Sequence, residues 1–369
     1  MDRMTGRERF LAAFRRERTD RLPFQVHGWM DYYLDMYLRG MDQYEAYEHF
    51  GMDPVIYVNP TFRYSARSLA DWKETRHDLG RDEAGNLRWR TEIETPGGML
   101  ATEGERNAFT SWTTLPVVRS ERDLELWKKY VPVPDGVDWT PVREAKARIG
   151  ERGIVRGPYF DFGQGSPWQS FCTLRDTEPA IYDAEDEPGL LHATLEAILE
   201  KKLAVIERGG EIELDLVETG GGAGSSTVIG PNLHREFCLP YDKRQHAALH
   251  AHGTRVVYHL CGGVMPMLEL VAENGADGLE TMTPPSMGGD CDLAEAARRV
   301  GDRLFFIGGF DQNAGFEQGT PEIVRRMVRA LFEATPKGGY ICSPSDHFFF
   351  GNPGNLRAFA DECKACTYD

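Results

Sequence analysis

Val256-Val257-Tyr258-His259-Leu260-Cys261-Gly262-Gly263 is the stretch on which the fold reading turns. An apolar run leads into a His-x-Cys pair and two glycines. Such a run marks a strand buried on both faces, as in parallel sheets covered by helices. Side chains alternate along a strand, so His259 and Cys261 project to the same side. An imidazole and a thiolate placed that way supply half of a tetrahedral zinc site. Gly262 and Gly263 let the backbone turn sharply into a helix beginning near residues 264–268.

The same rhythm extends in both directions. Before the run, a strand over 212–218 is followed by the glycine-rich loop 219–226 and a helix over 232–252. After it come strands at 277–281, 303–309 and 339–342, each followed by a helical stretch, the last ending near Cys366. Towards the N-terminus, strands are expected at 22–28, 53–58 and 153–160, with helices at 5–16, 31–50, 142–152 and 177–208. The Pro188-Gly189 step interrupts the last of these helices. Eight strands alternating with helices predict a parallel sheet closed into a (β/α)8 TIM-like barrel, one domain over residues 1–369. Residues 76–110 follow another pattern. Leu87, Trp89, Thr91 and Ile93 alternate after the turn Asp82-Glu83-Ala84-Gly85-Asn86, which predicts a small inserted β-hairpin or β-subdomain.

Composition narrows the partners. With 41% hydrophobic and 11% aromatic residues, the 369-residue chain can bury a sizeable core. A formal net charge of −16 argues against nucleic acid and anionic membrane surfaces. There is neither a signal-peptide pattern at the start nor an apolar run long enough to span a membrane. Seven scattered cysteines without framework spacing suit reduced thiols, so a cytoplasmic protein is expected.

A barrel of this kind carries its chemistry where the strands end at their C-terminal face. Polar residues collect there: His27, Glu218, His259 with Cys261, Glu280, Asp311, and the group Cys342, Asp346 and His347. His259 and Cys261 are the leading metal ligands. A third donor must come from a distant strand, with Cys342 as the thiol candidate and Asp346 or Glu218 as carboxylate candidates. A buried thiol beside a hydrogen-bonded histidine would use the same spacing. Glu218, Glu280 and Asp346 are the catalytic candidates. His27, Tyr159, Asp311 and His347 are expected to line the substrate site, with Phe160, Asp161 and Phe162 beside Tyr159. The loop Gly220-Gly221-Gly222-Ala223-Gly224-Ser225-Ser226 lacks the Gly-Lys-Ser/Thr ending of a phosphate loop, and reads as a close-approach loop beside a ligand. Cys363 and Cys366 form a CxxC without the second pair that a zinc ribbon needs.

Several stretches taken together resemble the uroporphyrinogen decarboxylase superfamily. They are Thr5-Gly6-Arg7-Glu8-Arg9-Phe10-Leu11-Ala12-Ala13, Asp20-Arg21-Leu22-Pro23, His259 to Gly262, Gly308-Gly309-Phe310-Asp311 and the close from Gly339 to Leu356. The resemblance implies a distorted (β/α)8 barrel with its cleft at the C-terminal strand ends. Its decarboxylase branch grips porphyrinogen carboxylates with an Arg-Gln-Ala-Gly-Arg segment. Here that place holds His27-Gly28-Trp29-Met30-Asp31, with neither arginine, and the Gly-His-Gly near the last strand is absent. The other branch resembles the corrinoid-dependent methyltransferases, which bind zinc through His-x-Cys and a distant Cys. On that reading His259, Cys261 and Cys342 would hold Zn2+. The family's Gly-Cys falls nearer Ser345-Asp346, which keeps Asp346 open as the ligand.

The expected function is therefore zinc-dependent methyl transfer between a small methylated compound or thiol acceptor and cobalamin, the corrinoid riding on a partner protein. A cofactor-independent decarboxylase of a carboxylated substrate is the alternative, and a non-catalytic corrinoid- or ligand-binding barrel the third reading. Monomer and homodimer are both compatible with the sequence.

Overall fold

The computed structural model describes residues 3–159 and 165–368. Its strands, in chain order, are β1 (Val55–Tyr57), β2 (Thr61–Arg63), β3 (Lys73–Arg81), β4 (Leu87–Thr95), β5 (Gly98–Arg106), β6 (Ser111–Leu115), β7 (Gly136–Asp138), β8 (Ile154–Gly157), β9 (Leu216–Gly220), β10 (Arg255–His259), β11 (Gly278–Thr281), β12 (Phe305–Phe310) and β13 (Tyr340–Pro344). β1 and β8 to β13 form one parallel sheet in the order β1-β8-β9-β10-β11-β12-β13. Helices cover its outer face and the sheet curls into the (β/α)8 barrel.

The eighth stave differs from expectation. Residues 22–28 do not form a full strand; they contribute a single parallel bridge, Phe24 to Cys342. Gln25 donates its N–H to the Cys342 carbonyl, and Cys342 donates to Pro23. Pro23 itself has no N–H to extend the ladder. Phe24 packs instead on Phe359 of the terminal helix Pro353–Ala365, ring centroids 5.9 Å apart.

Two long helices expected from periodicity are each broken, for local reasons. The stretch 31–50 divides into Asp31–Leu38 and Gln43–Phe50, because Arg39 and Gly40 take left-handed backbone and Asp42 opens a new capping box with Glu45. The stretch 232–252 divides into Pro231–Phe237 and Leu239–Ala251 at Pro240, which cannot donate an intrahelical hydrogen bond. The first helix, Gly6–Phe14, is held at its start by a capping box between Thr5 and Glu8, and buries Phe10 and Phe14 against the barrel.

Between β1 and β8 the chain leaves the barrel to build the antiparallel sheet β3-β4-β5-β6, which spans the alternating stretch at 76–110. A second apolar core, containing Ile93, Leu100, Trp127, Trp168 and Leu195, ties this insertion to the helices Pro167–Arg175 and Pro188–Gly209. The tip of the β5–β6 turn crosses to the barrel mouth. There Phe109 meets Tyr32 at 4.6 Å, Phe349 at 5.3 Å and Phe350 at 5.4 Å between ring centroids. Among the described residues, no helix is long and apolar enough to cross a membrane.

Candidate active site

Strand register decides which side chains share the barrel interior, because paired residues of a parallel ladder face the same way. Tyr57 pairs with Arg156, Arg156 with Leu216, Val257 with Glu218, and His259 with Glu280. These pairings place Tyr57, Arg156, Glu218, His259 and Glu280 on the inner face. Segment 22–28 adds His27, whose ring centroid lies 5.3 Å from that of His259. From beyond β13, His347 reaches within 4.8 Å of His27, ring to ring.

Arg156 is the pivot of this group. It is wholly buried, and its Nη2 donates to Glu218 Oε2 at 2.8 Å and to Glu280 Oε1 at 2.9 Å. Its guanidinium carbon sits 4.7 Å from the centre of the Tyr57 ring, a cation–π contact. Sequence reading passed over this residue. The signal was an arginine inside the apolar run Ile154-Val155-Arg156-Gly157, since a buried charge is retained only when paired.

His259 Nδ1 stands 3.1 Å from Glu280 Oε1 and 3.8 Å from Glu218 Oε1. Burial disfavours the imidazolium, but hydrogen bonds to Cys261 and Glu280 and the charge of Glu218 outweigh it, so the His259 pKa rises well above the ordinary value. Burial also works against the Glu280 carboxylate. The charge of Arg156 and the His259 hydrogen bond overcome it and hold Glu280 below the usual range. Glu218 moves the other way, raised by burial and by the negative charge of Glu280. Of the two carboxylates, Glu280 is the one held ionised and Glu218 the more readily protonated. His27 is pushed well below the ordinary histidine value by burial, which leaves it neutral.

Potential ligand atoms of His27, Glu218, His259 and Glu280 all lie within 4.8 Å of one another, as do those of His27, Asp346 and His347. Cys261 touches His259 but stands outside both groups. A Cβ on Gly222 would come within 2.6 Å of the Cys261 sulfur, and one on Gly220, whose φ is +83°, within 2.4 Å of the His259 carbonyl oxygen. The glycine-rich loop is thus a close-approach loop against the His259–Cys261 strand end.

Three expected site residues are placed elsewhere. Cys342 pairs with Gly308, one position out of phase with the inward Ile341 and Ser343, so its thiol faces outward and contacts Cys363 on the terminal helix. It is no partner of His259. Tyr159 is buried in the core, stacked on Trp139 at 5.3 Å with its hydroxyl donating to the Val205 carbonyl. Asp311 accepts hydrogen bonds from Ser286 Oγ at 2.6 Å and Ala314 N–H at 2.9 Å, holding the chain after β12 rather than joining the cluster. Phe160, Asp161 and Phe162 lie outside the described residues.

The sequence profile described as Uroporphyrinogen decarboxylase (URO-D) matches residues 114–366. The chain belongs to the URO-D family. Curated relatives named "Uroporphyrinogen decarboxylase" include one from Neisseria meningitidis, 33% identical over 252 residues and 63% of each chain. One from Neisseria gonorrhoeae is 32% identical over 286 residues, 72% of this chain and 71% of that protein. One from Pseudomonas fluorescens is 27% identical over 240 residues, 60% of this chain and 61% of that protein. The match to the first of these spans less than two thirds of its length. Among solved structures, a methyltransferase from Methanosarcina mazei superposes with a TM-score of 0.65 over 98% of this chain and 99% of that one, at 14% identity. That likeness is one of fold. The URO-D barrel here carries the imidazole, thiol and carboxylate groups at the strand ends.

Donor chemistry is the test of whether a metal suits this URO-D mouth. Zinc takes imidazole nitrogen, carboxylate oxygen and thiolate sulfur; the first two converge here in His27, His259, Glu218 and Glu280, and the Cys261 thiol stands beside His259. A ligating histidine is commonly oriented by a carboxylate on its other ring nitrogen, the role in which Glu280 meets His259 Nδ1.

Proposed function

We propose that the chain is a zinc-dependent methyltransferase moving a methyl group between a small methylated compound or thiol acceptor and a corrinoid carried by a partner protein. One observation carries this reading. His259 and Cys261 stand together at the end of β10, with Glu280 on His259 Nδ1 and Arg156 keeping Glu280 ionised. His259, Cys261 and Glu218 would hold the zinc, with His27 beside them. Bound there, zinc would stabilise a thiolate at neutral pH or polarise a methoxy oxygen.

The residues present do the positioning. Glu280 fixes the Nδ1–H tautomer of His259, which leaves Nε2 as its donor. Neutral His27 adds an uncharged imidazole to the mouth. Glu218, the carboxylate that favours a proton, can give one to a leaving group or surrender it to become a ligand. The aromatic rim formed by Tyr32, Phe109, Phe349 and Phe350 offers the partner an apolar face beside the mouth.

Decarboxylation of a polyanionic substrate fits less well. Arg156, the guanidinium within the cluster, is paired with two carboxylates and is sealed from solvent. The deciding experiment pairs zinc content with methyl exchange from methylcobalamin in wild type and His259→Ala. Near-stoichiometric zinc and exchange, both lost in the variant, support the reading. A zinc-free wild type that releases carbon dioxide from a carboxylated substrate would sink it.

A further inference from the structure

A cavity of about 570 Å3 lies between the barrel mouth and the helices Asp31–Leu38 and Gln43–Phe50. We infer that it is a recognition pocket for a small organic cation of the alkylammonium type, the class of molecule that would present its methyl group to the mouth. The assignment of that ligand as methyl donor rests on the methyltransferase reading; its binding does not.

Charge points to a cation. Asp31, Asp35 and Asp42 line the cavity, and among the described residues no lysine or arginine does. Capping explains Asp42, which accepts from Glu45 N–H, and Arg148 neutralises it at 2.8 Å. Asp35 has no capping role, and neither Asp31 nor Asp35 has a cationic partner among the described residues. Two uncompensated carboxylates beside a low-dielectric wall raise the local concentration of cations.

The wall then selects an organic cation over a hydrated metal ion. Trp29, Tyr44 and Tyr57 line it, and aromatic faces attract alkylated ammonium groups that inorganic ions with tight water shells cannot match. Cations of the protein itself already use these rings. Arg148 rests 3.6 Å from the centre of Tyr44, and Arg156 rests 4.7 Å from that of Tyr57. A volume near 570 Å3 falls in the usual range of small-molecule sites.

Position links the pocket to the chemistry. His347 belongs to its lining and touches His27, which touches His259. A ligand seated against the aromatic wall therefore lies one imidazole away from the metal-binding group.

Calorimetric titration of the full chain tests this, with choline as the probe and 3,3-dimethylbutan-1-ol as its uncharged carbon isostere. Choline should bind saturably, the isostere about tenfold more weakly or worse, and an Asp31→Asn/Asp35→Asn double variant should weaken choline about tenfold while leaving the isostere unchanged. Asp35→Asn alone serves if the double variant misfolds, and should give part of the same loss. Equal binding of the two probes, unchanged choline binding in the variants, or no saturable choline binding would overturn the inference. Because the readout is binding, a negative result leaves the zinc and methyl-exchange tests of the broader reading untouched, and the converse holds.

Discussion

Arg156 and Glu280 form an ion pair with both side chains completely shielded from solvent, Nη2 to Oε2 at 2.8 Å, in the middle of the barrel mouth. Removing one member of a buried pair strands the other charge in a low dielectric. Arg156→Met should therefore cost about 3–5 kcal/mol in urea denaturation at neutral pH. Without the guanidinium, the Glu280 pKa rises above its unfolded value, so the deficit should shrink on acidification through about pH 4, where the unfolded carboxylate also protonates. A deficit that stays constant across that range would place the loss in packing instead.

Metal content per chain should separate the cysteines. Cys261→Ser and His259→Ala are expected to lose zinc, Glu280→Gln to weaken it about 10–100-fold, and Cys342→Ser to retain it. The cobalt-substituted protein should show the ligand-to-metal absorption of a single thiolate. Loss of zinc in the Cys342 variant would contradict its outward placement.

Gly222→Ala offers a change that removes no donor atom. Its added Cβ would fall 2.6 Å from the Cys261 sulfur, so the thiol must move. Zinc affinity should drop about tenfold or more, while the thermal transition shifts little. Competition against a chromogenic chelator measures the first, and calorimetry the second.

Outside the barrel, Asp242 is buried with Tyr258 donating to it at 2.7 Å and Lys202 nearby. Burial pushes its carboxyl up to about 7, against the two partners. A raised folded pKa means stability that is present below the unfolded value near 3.9 and lost as the pH climbs through 7. Asp242→Asn should flatten the wild-type loss of stability between about pH 4 and pH 7, by at most about 4 kcal/mol. Matching pH profiles in the two proteins would show that Asp242 is not the group responsible.

Phe109 fastens the insertion to the mouth through three aromatic contacts, each worth about 0.5–1.5 kcal/mol. In Phe109→Ala, amide exchange should accelerate in the β5–β6 turn and at residues 348–350, with the barrel strands unaffected. Uniform acceleration across the barrel would mean the insertion supports the whole fold.

Much of the architecture could be read from alternation. The buried run at Val256-Val257-Tyr258 lies in β10, and the polar ends at Glu218, His259 and Glu280 do converge. What escaped was register. Knowing that Cys342 ends an apolar segment does not reveal its face; only its pairing with Gly308 does, and a shift of one residue reverses the answer. Tyr159 misled for a related reason. It follows β8 in sequence, yet packs against Trp139 in the surrounding core. Arg156 was hidden by the opposite bias, because a charge inside an apolar strand gains meaning only once its two acidic partners, 62 and 124 residues away, are known.

The meeting of His27 with His347 joins the two extremities of the barrel: one precedes β1, the other follows β13. Arg156, Glu218, His259 and Glu280 come from four consecutive staves and can assemble on a partial sheet. The His27–His347 wall cannot, since it exists only where the Phe24–Cys342 bridge lays segment 22–28 against β13. Detaching that segment would strip one side of the mouth while the seven-stranded sheet remained paired, so a single backbone bridge carries the completeness of the site.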